Sequence, residues 1–216
     1  MQELQFQRAR RPAQKEQRRR ELLAAAIELL DGGLDAVTLS AIARTAGVAK
    51  SNVYRYFESR EEILLELLLD DLLDMVSPME KALAPLAGTS DVEAVAGAVT
   101  RVLVERPRLC ALISVVANVL EHNLSTDVLR DFKEQVLEVS IRIGNALHAA
   151  VPGLPAERAP ALVRYLNALI AGLWPMAHPP EALEVVFDDP HYAPLRSRFN
   201  DDLSGALTAL LRGVAH

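Results

Sequence analysis

The residues best suited to chemistry with a partner lie close together in the first third of the chain. Lys50 carries an ammonium group that can donate to guanine acceptors. Asn52 carries an amide that could pair with adenine if its side chain faces the groove of a DNA duplex. Both belong to the stretch from Thr38 to Phe57, which reads TLSAIARTAGVAKSNVYRYF. The spacing of the apolar residues in this stretch predicts how these polar groups are presented.

Two short helices joined by a tight turn are predicted for this stretch. One helical face shows the i, i+3, i+4, i+7 spacing at Leu39, Ile42, Ala43 and Ala46. Thr38 is a suitable N-cap, and Gly47 supplies the backbone freedom that the turn requires. A second helix is expected from about residue 49 to 56. This arrangement is typical of a helix-turn-helix, whose second helix enters the DNA major groove.

The residues that follow make the pattern more specific. Ser59 and Glu62 have the spacing of a capping box and mark the start of a Leu-rich helix. The motifs TLSAIA, AGV, VYRYF and SREEIL resemble those of the TetR family of one-component bacterial regulators, over roughly residues 18–68. The resemblance implies an all-α fold of about nine helices, with a three-helix DNA-binding head and an α-helical ligand-binding and dimerisation body. We place the head, with an N-terminal basic arm, at residues 1–60 and the body at residues 61–216.

The resemblance also assigns DNA contacts to polar positions of the head. It implies phosphate contacts at Thr38, Tyr54, Tyr56 and Arg60, and contacts with bases or the groove floor at Ser40, Lys50 and Ser51. Alternatively, the two tyrosines are packing residues whose hydroxyl groups lie in water. The sequence departs from the family pattern at Ala49, where many relatives carry a Ser or Thr cap, and the loss of such a cap costs roughly 1 kcal/mol.

Charge is distributed unevenly along the chain. The net charge is −6 overall, but residues 1–60 hold eleven basic and seven acidic side chains, which leaves a charge of −10 for the body. A basic head on an acidic body is expected of a protein that binds nucleic acid. We interpret residues 1–13 as a flexible basic arm that is either a disordered tail or a contact with phosphates or the minor groove. The arginine triplet at 18–20 is either a solvated face or a phosphate contact.

Apolar periodicity predicts helices over most of the remaining chain and no convincing strand. The expected helices span about 13–30, 91–105, 107–122, 126–150, 155–177 and 194–211, with a loop at 178–191. A further helix is expected to begin near Arg60, and Pro85, Gly88 and Thr89 mark a break after it. Pro78 is expected to kink or end its helix, and Pro175 either kinks its helix beside Trp174 or simply ends it before His178.

The resemblance implies an effector pocket inside the body. The inward-facing candidates for ligand binding are Met75, Met79, Cys110, Asn118, His122, Phe132, His148, Asn167 and Trp174. For each of them the alternative is ordinary core packing. Two leucine-rich stripes, at 162–173 and 199–211, are either intrachain core or, as in the family, a four-helix interface between two subunits. A homodimer would read a palindrome with two heads.

Several function classes find no support in the sequence. The five histidines lack metal-ligand spacing, and no nucleophile elbow or phosphate-cradling loop occurs, so we expect neither an enzyme nor a metal site or cofactor. Cys110, the single cysteine, is interpreted as a buried inert thiol, with a redox sensor as the alternative. No apolar run approaches the roughly 20 residues that span a bilayer, and a cytoplasmic location is expected.

We therefore expect a ligand-responsive, sequence-specific transcriptional regulator. As a repressor, it would release double-stranded operator DNA when a small molecule binds the body. Two other interpretations stay open at this point. One is a small-molecule binding protein with a vestigial helix-turn-helix, and the other is an architectural protein that binds DNA without sequence preference.

Overall fold

The computed structural model describes residues 2–117 and 124–214, with the backbone alone for residues 2–13. Within these ranges the fold is all-α, as predicted, and no β-strand occurs. The helices are α1 (Gln2–Leu30), α2 (Leu39–Thr45), α3 (Lys50–Val53), α4 (Arg60–Leu83), α5 (Val92–Val104), α6 (Pro107–Val116), α7 (Thr126–Ala150), α8 (Ala159–Ala177), α9 (Glu181–Phe187) and α10 (Phe199–Val214). None of these helices is both long enough and apolar enough to cross a bilayer.

The head consists of α1, α2 and α3. The hydroxyl of Thr38 accepts a hydrogen bond from the amide of Ala41 at 3.1 Å, which confirms the expected cap of α2. Gly47 has a φ of 65° in the turn between α2 and α3, a left-handed conformation that glycine adopts without steric cost. Ala49 provides no side-chain cap, so α3 forms a single short turn. The sequence-based range of 49–56 for α3 is therefore too long at its end.

Helix α4 connects the head to the body. The hydroxyl of Ser59 accepts from the amide of Glu62 at 3.2 Å, while the Glu62 carboxylate accepts from the amide of Glu58 at 2.6 Å. This is a capping box in which the returning bond reaches one residue further back than usual. Pro78 lies within α4 but does not end it. Helix α4 therefore runs without a break from the head into the middle of the body.

Three ion pairs attach other helices to α4. Arg19 of α1 bonds Glu66, and the Arg108 Nε of α6 donates to Asp71 at 2.8 Å. Arg142 of α7 reaches Glu80 with two bonds, at 2.9 and 2.7 Å. The buried apolar residues of α4 also belong to one continuous core that extends from Leu22 in α1 to Leu211 in α10. Helix α4 is thus the common packing partner of the head and the body.

The remaining helices of the body pack around α4 in layers. Helix α7 lies along α4, α8 packs on α6 and α7, and α10 packs on α5 and α8. The start of α8 comes close to α7 at Gly144, where an added Cβ would lie 3.2 Å from the Cβ of Ala159. A small residue is therefore needed at this crossing.

Besides the range of α3, three predictions of element boundaries are wrong. Residues 2–13 continue α1 instead of forming a flexible arm, because Gln, Glu, Leu and Arg are good helix formers that outweigh Pro12. The expected loop at 178–191 contains α9, and the last helix begins at Phe199, since the prolines at 190 and 194 favour a 3-10 turn over 190–195. Helix α6 ends at Val116, and residues 118–122 of its expected range lie outside the described residues.

Candidate DNA-binding face and ligand cavity

The N-terminal end of α3 presents consecutive polar side chains to solvent. Lys50, Ser51 and Asn52 are all exposed, whereas Val53 is completely buried and anchors the helix in the core of the head. The Lys50 ammonium lies 5.9 Å from the centroid of the Tyr54 ring, and about half of Tyr54 is exposed. Ser40, on the first turn of α2, is exposed as well. These five residues have the accessibility that contact with DNA requires.

The other three DNA-binding candidates also have structural roles. Thr38 is exposed, but its hydroxyl caps α2. Tyr56 is half-buried against the core, as the packing alternative expects. Arg60 is half-buried, donates to the carbonyl of Val37 at 3.4 Å and pairs with Glu61 at 3.2 Å. Its guanidinium therefore holds the start of α4 against the segment before α2.

Two exposed arginines of the head were missed by the sequence analysis. Arg44 lies in the last turn of α2, and Arg55 lies between the two tyrosines after α3. Neither guanidinium pairs with any other side chain among the described residues. Arg55 could have been recognised from its place in the YRY sequence, since its neighbours were already selected. Both can add to the positive potential around α3.

Arg19 of the arginine triplet is half-buried and bonds residues outside α1. Its Nε donates to Glu66 at 2.8 Å, its Nη1 donates to the carbonyl of Tyr56 at 3.1 Å, and its guanidinium lies 4.4 Å from the ring centroid of Phe57. Partial burial would lower the pKa of Arg19, but the hydrogen bond and the charge of Glu66 raise it, and the net shift is upward. Arg19 therefore fixes the head to α4 as a permanent cation. Arg18 and Arg20 remain exposed.

The body encloses a cavity of about 240 Å³ between α4, α6, α7 and α8. Its walls are mainly leucine, valine, isoleucine and methionine side chains. Met75, Met79, Phe132 and Asn167, four of the candidates from the sequence, are among the residues that line it. Leu68 and Leu72 of α4 also line it and were not selected from the sequence, because leucines of one apolar helix cannot be told apart by periodicity.

Only three polar side chains are among the described residues that line the cavity. They are Lys133 and Ser140 on α7 and Asn167 on α8. The Ser140 hydroxyl donates to the carbonyl of Val136 at 2.7 Å, so its lone pairs remain available to accept. The amide of the half-buried Asn167 makes no hydrogen bond with another described residue. The described lining contains no carboxylate, which excludes a matched ion pair between these residues and a cationic ligand.

The remaining ligand-binding candidates lie elsewhere. Cys110, His148 and Trp174 are not among the described residues around the cavity, and Asn118 and His122 lie outside the described residues. Cys110 is fully buried, its Sγ lies 3.5 Å from the carbonyl of Leu103, and burial raises the pKa of its thiol to about 12. Its environment is that of the inert thiol and not of a redox sensor. The Nδ1 of His148 lies 2.6 Å from the carbonyl of Leu154, so this side chain holds the turn after α7.

Trp174 belongs to the contact between α8 and α10. Its ring stacks on His178 at 3.9 Å and meets the edge of Phe199 at 5.0 Å. Helix α8 continues through Pro175 to Ala177, so Pro175 does not end it. The carbonyl of Trp174 accepts from the amide of His178 at 3.1 Å and lies 2.9 Å from its Nδ1. The carbonyl of Trp174 therefore has both its partners at the end of α8, and Trp174 is not among the described residues that line the cavity.

The two leucine-rich stripes are mostly intrachain core. Seven of their residues are buried within the single chain: Leu162, Leu166, Ile170, Phe199, Leu203, Leu207 and Leu211. The other sides of α8 and α10 expose a different set of small and apolar residues, which we call the α8–α10 face: Tyr165, Ala168, Gly172, Met176, Gly205, Ala209 and Gly213. Apart from the adjacent residues and the backbone of the same helix, no described atom lies within 4 Å of a Cβ built at Gly172, Gly205 or Gly213, so this face is open.

Comparison with known families agrees with this two-part architecture. Residues 22–67 match the family model of bacterial regulatory proteins of the tetR family. Residues 69–216, more than half of the chain, match the model of the tetracyclin repressor-like C-terminal domain. The chain belongs to the TetR family. This is a family of bacterial regulatory proteins, and the matched residues 22–67 include most of the head.

Curated relatives match less than half of this chain. The HTH-type transcriptional regulator Rv1816 of Mycobacterium tuberculosis is 39% identical over 89 residues, which cover 40% of this chain and 38% of the relative. The HTH-type transcriptional regulator BetI of Rhizobium meliloti is 42% identical over 73 residues, 32% of this chain and 36% of BetI. The chain thus spans less than two fifths of the length of these relatives.

Solved structures of other regulators share the fold over nearly the full length. FadR from Bacillus subtilis, solved in complex with stearoyl-CoA, has a TM-score of 0.53 at 19% identity, with 88% of this chain and 96% of FadR covered. FadR from Bacillus halodurans, a fatty acid degradation regulator, has a TM-score of 0.54 at 15% identity, with 89% and 97% covered. Because the sequence identities are only 15% and 19%, the similarity to these two structures shows a shared fold and nothing more.

Proposed function

We propose that this TetR-family regulator is a homodimeric repressor that binds a palindromic operator and releases it when an apolar small molecule occupies the cavity. The main observation in support of this proposal is that α4 extends from the head to the cavity. Leu68, Leu72 and Met75 of α4 line the cavity, while Ile63 and Leu64 at its start are fully buried near the head. One rigid helix therefore contacts both the ligand site and the DNA-binding head.

In this proposal the exposed residues of α3 read the bases. Lys50 donates to guanine, Asn52 pairs with adenine, and Ser51 and Ser40 contact the groove. Thr38, Tyr54, Tyr56 and Arg60 contact phosphates beside them, and the exposed Arg44 and Arg55 add electrostatic attraction. A recognition helix of one turn reads few base pairs, which is why a second head is needed for specificity.

The open α8–α10 face supports the homodimer. Small residues on adjacent helices allow the backbones of two subunits to approach closely, and the apolar side chains between them gain burial. A two-fold axis through this face would place the two heads symmetrically. Recognition helices spaced about 34–36 Å apart, or at a multiple of this distance, would then meet successive major grooves of a palindrome.

Coupling between ligand and DNA is proposed to pass through Phe132 and α4. Phe132 lines the cavity and also a groove at the junction of α1, α4 and α7, where Arg19 and Glu66 lie. A ligand that displaces Phe132 would disturb the contact between α1 and α4 and thereby the angle of the head. The ligand needs only to bind the state with low DNA affinity more tightly than the other state.

The cavity lining supports an effector that is largely apolar and either neutral or anionic. Its described residues are mainly apolar and include no carboxylate, and the amide of Asn167 offers a hydrogen bond. A panel of decanoate, decanol and decylamine tests this charge preference, and stearoyl-CoA is added because FadR of Bacillus subtilis was solved with it. We expect decanoate or decanol, and not decylamine, to raise the melting temperature. Stabilisation by decylamine alone would contradict the proposed class of effector.

The function itself is tested by selecting randomised duplex DNA with the purified protein at near-physiological salt. We expect enrichment of a palindromic motif. Binding without enrichment, with a steep dependence on salt, would instead favour an architectural protein. If ligands bind but the folded protein has no affinity for DNA even at low salt, the protein is a small-molecule binding protein with a vestigial head.

A further inference from the structure

The side of α8 that lines the cavity is apolar except at one position. Five of its lining residues have the i, i+3, i+4, i+7, i+8 spacing of one helical face: Val163, Leu166, Asn167, Ile170 and Ala171. An apolar residue is expected at every position of such a face when it only packs against a core. The amide of Asn167 therefore stands in the cavity wall at a position where the pattern predicts an apolar side chain.

This amide has hydrogen-bonding capacity that the chain does not use. Asn167 is half-buried and makes no hydrogen bond with another described residue. Its side chain offers two N–H donors and one carbonyl acceptor, and a partly desolvated polar group without a partner costs free energy. Among the described parts of the chain nothing offsets this cost, so we look to the content of the cavity for the partner.

A second polar group of the cavity wall restricts what that partner can be. The hydroxyl of Ser140 on α7 is half-buried and donates to the carbonyl of Val136 at 2.7 Å. Its only proton is thus in use, and towards the cavity it acts as an acceptor. A ligand that satisfies Ser140 must supply an O–H or N–H donor, which an ether, an ester or a carboxylate lacks.

The volume of the cavity limits the size of the ligand. An engineered apolar cavity of about 150 Å³ in another protein binds benzene. The present cavity has a volume of about 240 Å³, and its wall is mainly apolar. It therefore accommodates a body of one ring with a short chain, most of whose surface meets hydrocarbon side chains.

We propose that Asn167 and Ser140 select a neutral effector that carries a hydroxyl group on an apolar body of this size. The hydroxyl of the ligand donates to the Ser140 oxygen and accepts from the N–H of Asn167. The proposal rests on the cavity being the effector site of the proposed function, and it narrows the effector from neutral or anionic apolar molecules to neutral hydroxyl compounds. Asn167 and Ser140 are then specificity-determining residues.

Three related probes test this selection in the full chain. The hydroxyl of para-butylphenol donates and accepts, the ether oxygen of para-butylanisole only accepts, and butylbenzene does neither. Titration calorimetry measures the three dissociation constants. We expect para-butylphenol to bind roughly tenfold more tightly than para-butylanisole, and butylbenzene to bind most weakly, because each missing bond leaves a polar group of the wall unsatisfied.

The outcomes separate this proposal from the proposed function. Binding of butylbenzene as tightly as para-butylphenol would overturn the selection of a hydroxyl group, while the apolar effector class would stand. Binding of none of the three probes would overturn it as well. If decanol and decanoate also failed to bind, the effector class of the proposed function would fall with it.

Two variants assign the selection to individual side chains. We expect Asn167→Leu to bind para-butylphenol roughly tenfold more weakly and butylbenzene at least as tightly as the unchanged chain does. Ser140→Ala removes the acceptor, so we expect it to bind para-butylphenol and para-butylanisole with similar affinity. Asn145→Leu is the matched control, because Asn145 is exposed on α7 and is not among the residues that line the cavity.

Circular dichroism verifies that each variant is folded. A purely structural role of Asn167 would weaken the binding of all three probes by the same factor, and this result would overturn the proposal. Unchanged affinity for para-butylphenol in both cavity variants would overturn it too.

Discussion

Among the polar residues of the head, exposure separates those that make few contacts with the chain from those that also hold the head together. Lys50, Ser51, Asn52 and Tyr54 point to solvent and make few contacts with the chain. Arg60 and Arg19 carry the same type of charge as Arg44 and Arg55, yet both are bonded to backbone carbonyls and carboxylates. Residue type alone could not separate the two groups, because Val37, which accepts from Arg60, and Glu66, which binds Arg19, are distant from them in sequence.

We expect Lys50→Ala and Tyr54→Ala each to weaken binding to the selected operator by about 1–3 kcal/mol, since each removes a proposed contact with a base or a phosphate. Fluorescence anisotropy with labelled operator measures the affinity, and light scattering verifies that the dimer is intact. Lys81→Ala is the matched control, because Lys81 is an exposed lysine at the far end of α4. Unchanged affinity in both head variants would refute the docking model.

Burial of Cys110 has a measurable chemical consequence. Because desolvation raises the pKa of its thiol to about 12, we expect no reaction with a thiol reagent at pH 8 in the folded protein and complete reaction in denaturant. The raised pKa also affects stability. The stability that the protonated thiol contributes is fully present below its ordinary pKa of 9.0 and is lost as the pH rises towards 12. We therefore expect the free energy of unfolding to fall less over this pH range in Cys110→Ala than in the unchanged protein. Rapid modification at pH 8 without unfolding would show that the thiol is accessible.

At the scale of the elements, strong local signals gave accurate boundaries. The hydroxyl of Ser125 accepts from the amide of Val128 at 3.4 Å, and α7 has the predicted range, Thr126–Ala150. Helix α9 was missed because it is short and flanked by prolines and acidic residues that resemble a loop. Its apolar residues face solvent in the single chain, so they provide no periodic pattern of burial from which a helix is predicted.

The contact between α1 and α4 depends on one side chain that can be changed without removing its bulk. Arg19→Met keeps the aliphatic stem over Phe57 but removes the bonds to Glu66 and to the carbonyl of Tyr56. We expect a loss of about 1–3 kcal/mol in the free energy of unfolding and faster hydrogen exchange at the start of α4.

The matched control is Arg18→Met. Arg18 pairs with Glu21 on the surface of the same helix, and an exposed pair of this kind contributes less than about 1 kcal/mol. Equal losses of stability in the two variants would show that the bonds between α1 and α4 do not hold the head in place. The comparison thus isolates the inter-helix bonds from the general effect of removing a guanidinium from α1.

At the scale of the whole molecule, the head and the body share one apolar core and differ in charge. The boundary predicted at residue 60 does not interrupt the core, since buried side chains continue across it from Phe57 to Ile63 and Leu64. The positive charge on one side of this boundary favours DNA, and the negative charge on the other side keeps the body away from phosphates.

The continuous core predicts that the head and the body unfold together. In urea, the fluorescence of Trp174, the only tryptophan, reports on α8, and hydrogen exchange of the Ile42 amide reports on α2. We expect both probes to give the same midpoint at a fixed protein concentration. A head that unfolds at clearly lower urea would contradict this and would make the head an independent unit.

The sequence by itself determined the all-α fold, the helix-turn-helix and the two-part charge distribution, because these depend on local spacing, capping and composition. Thr38, Gly47 and Ser59 have the roles that their neighbours in sequence predict. The tertiary structure decided which apolar residues surround the cavity, which arginine binds a carboxylate and which face of α8 stays open. Leu68 lines the cavity, whereas Leu162 lies in the core, although both are leucines on an apolar helix. The packing of distant helices makes this distinction, and the sequence near each residue does not contain it.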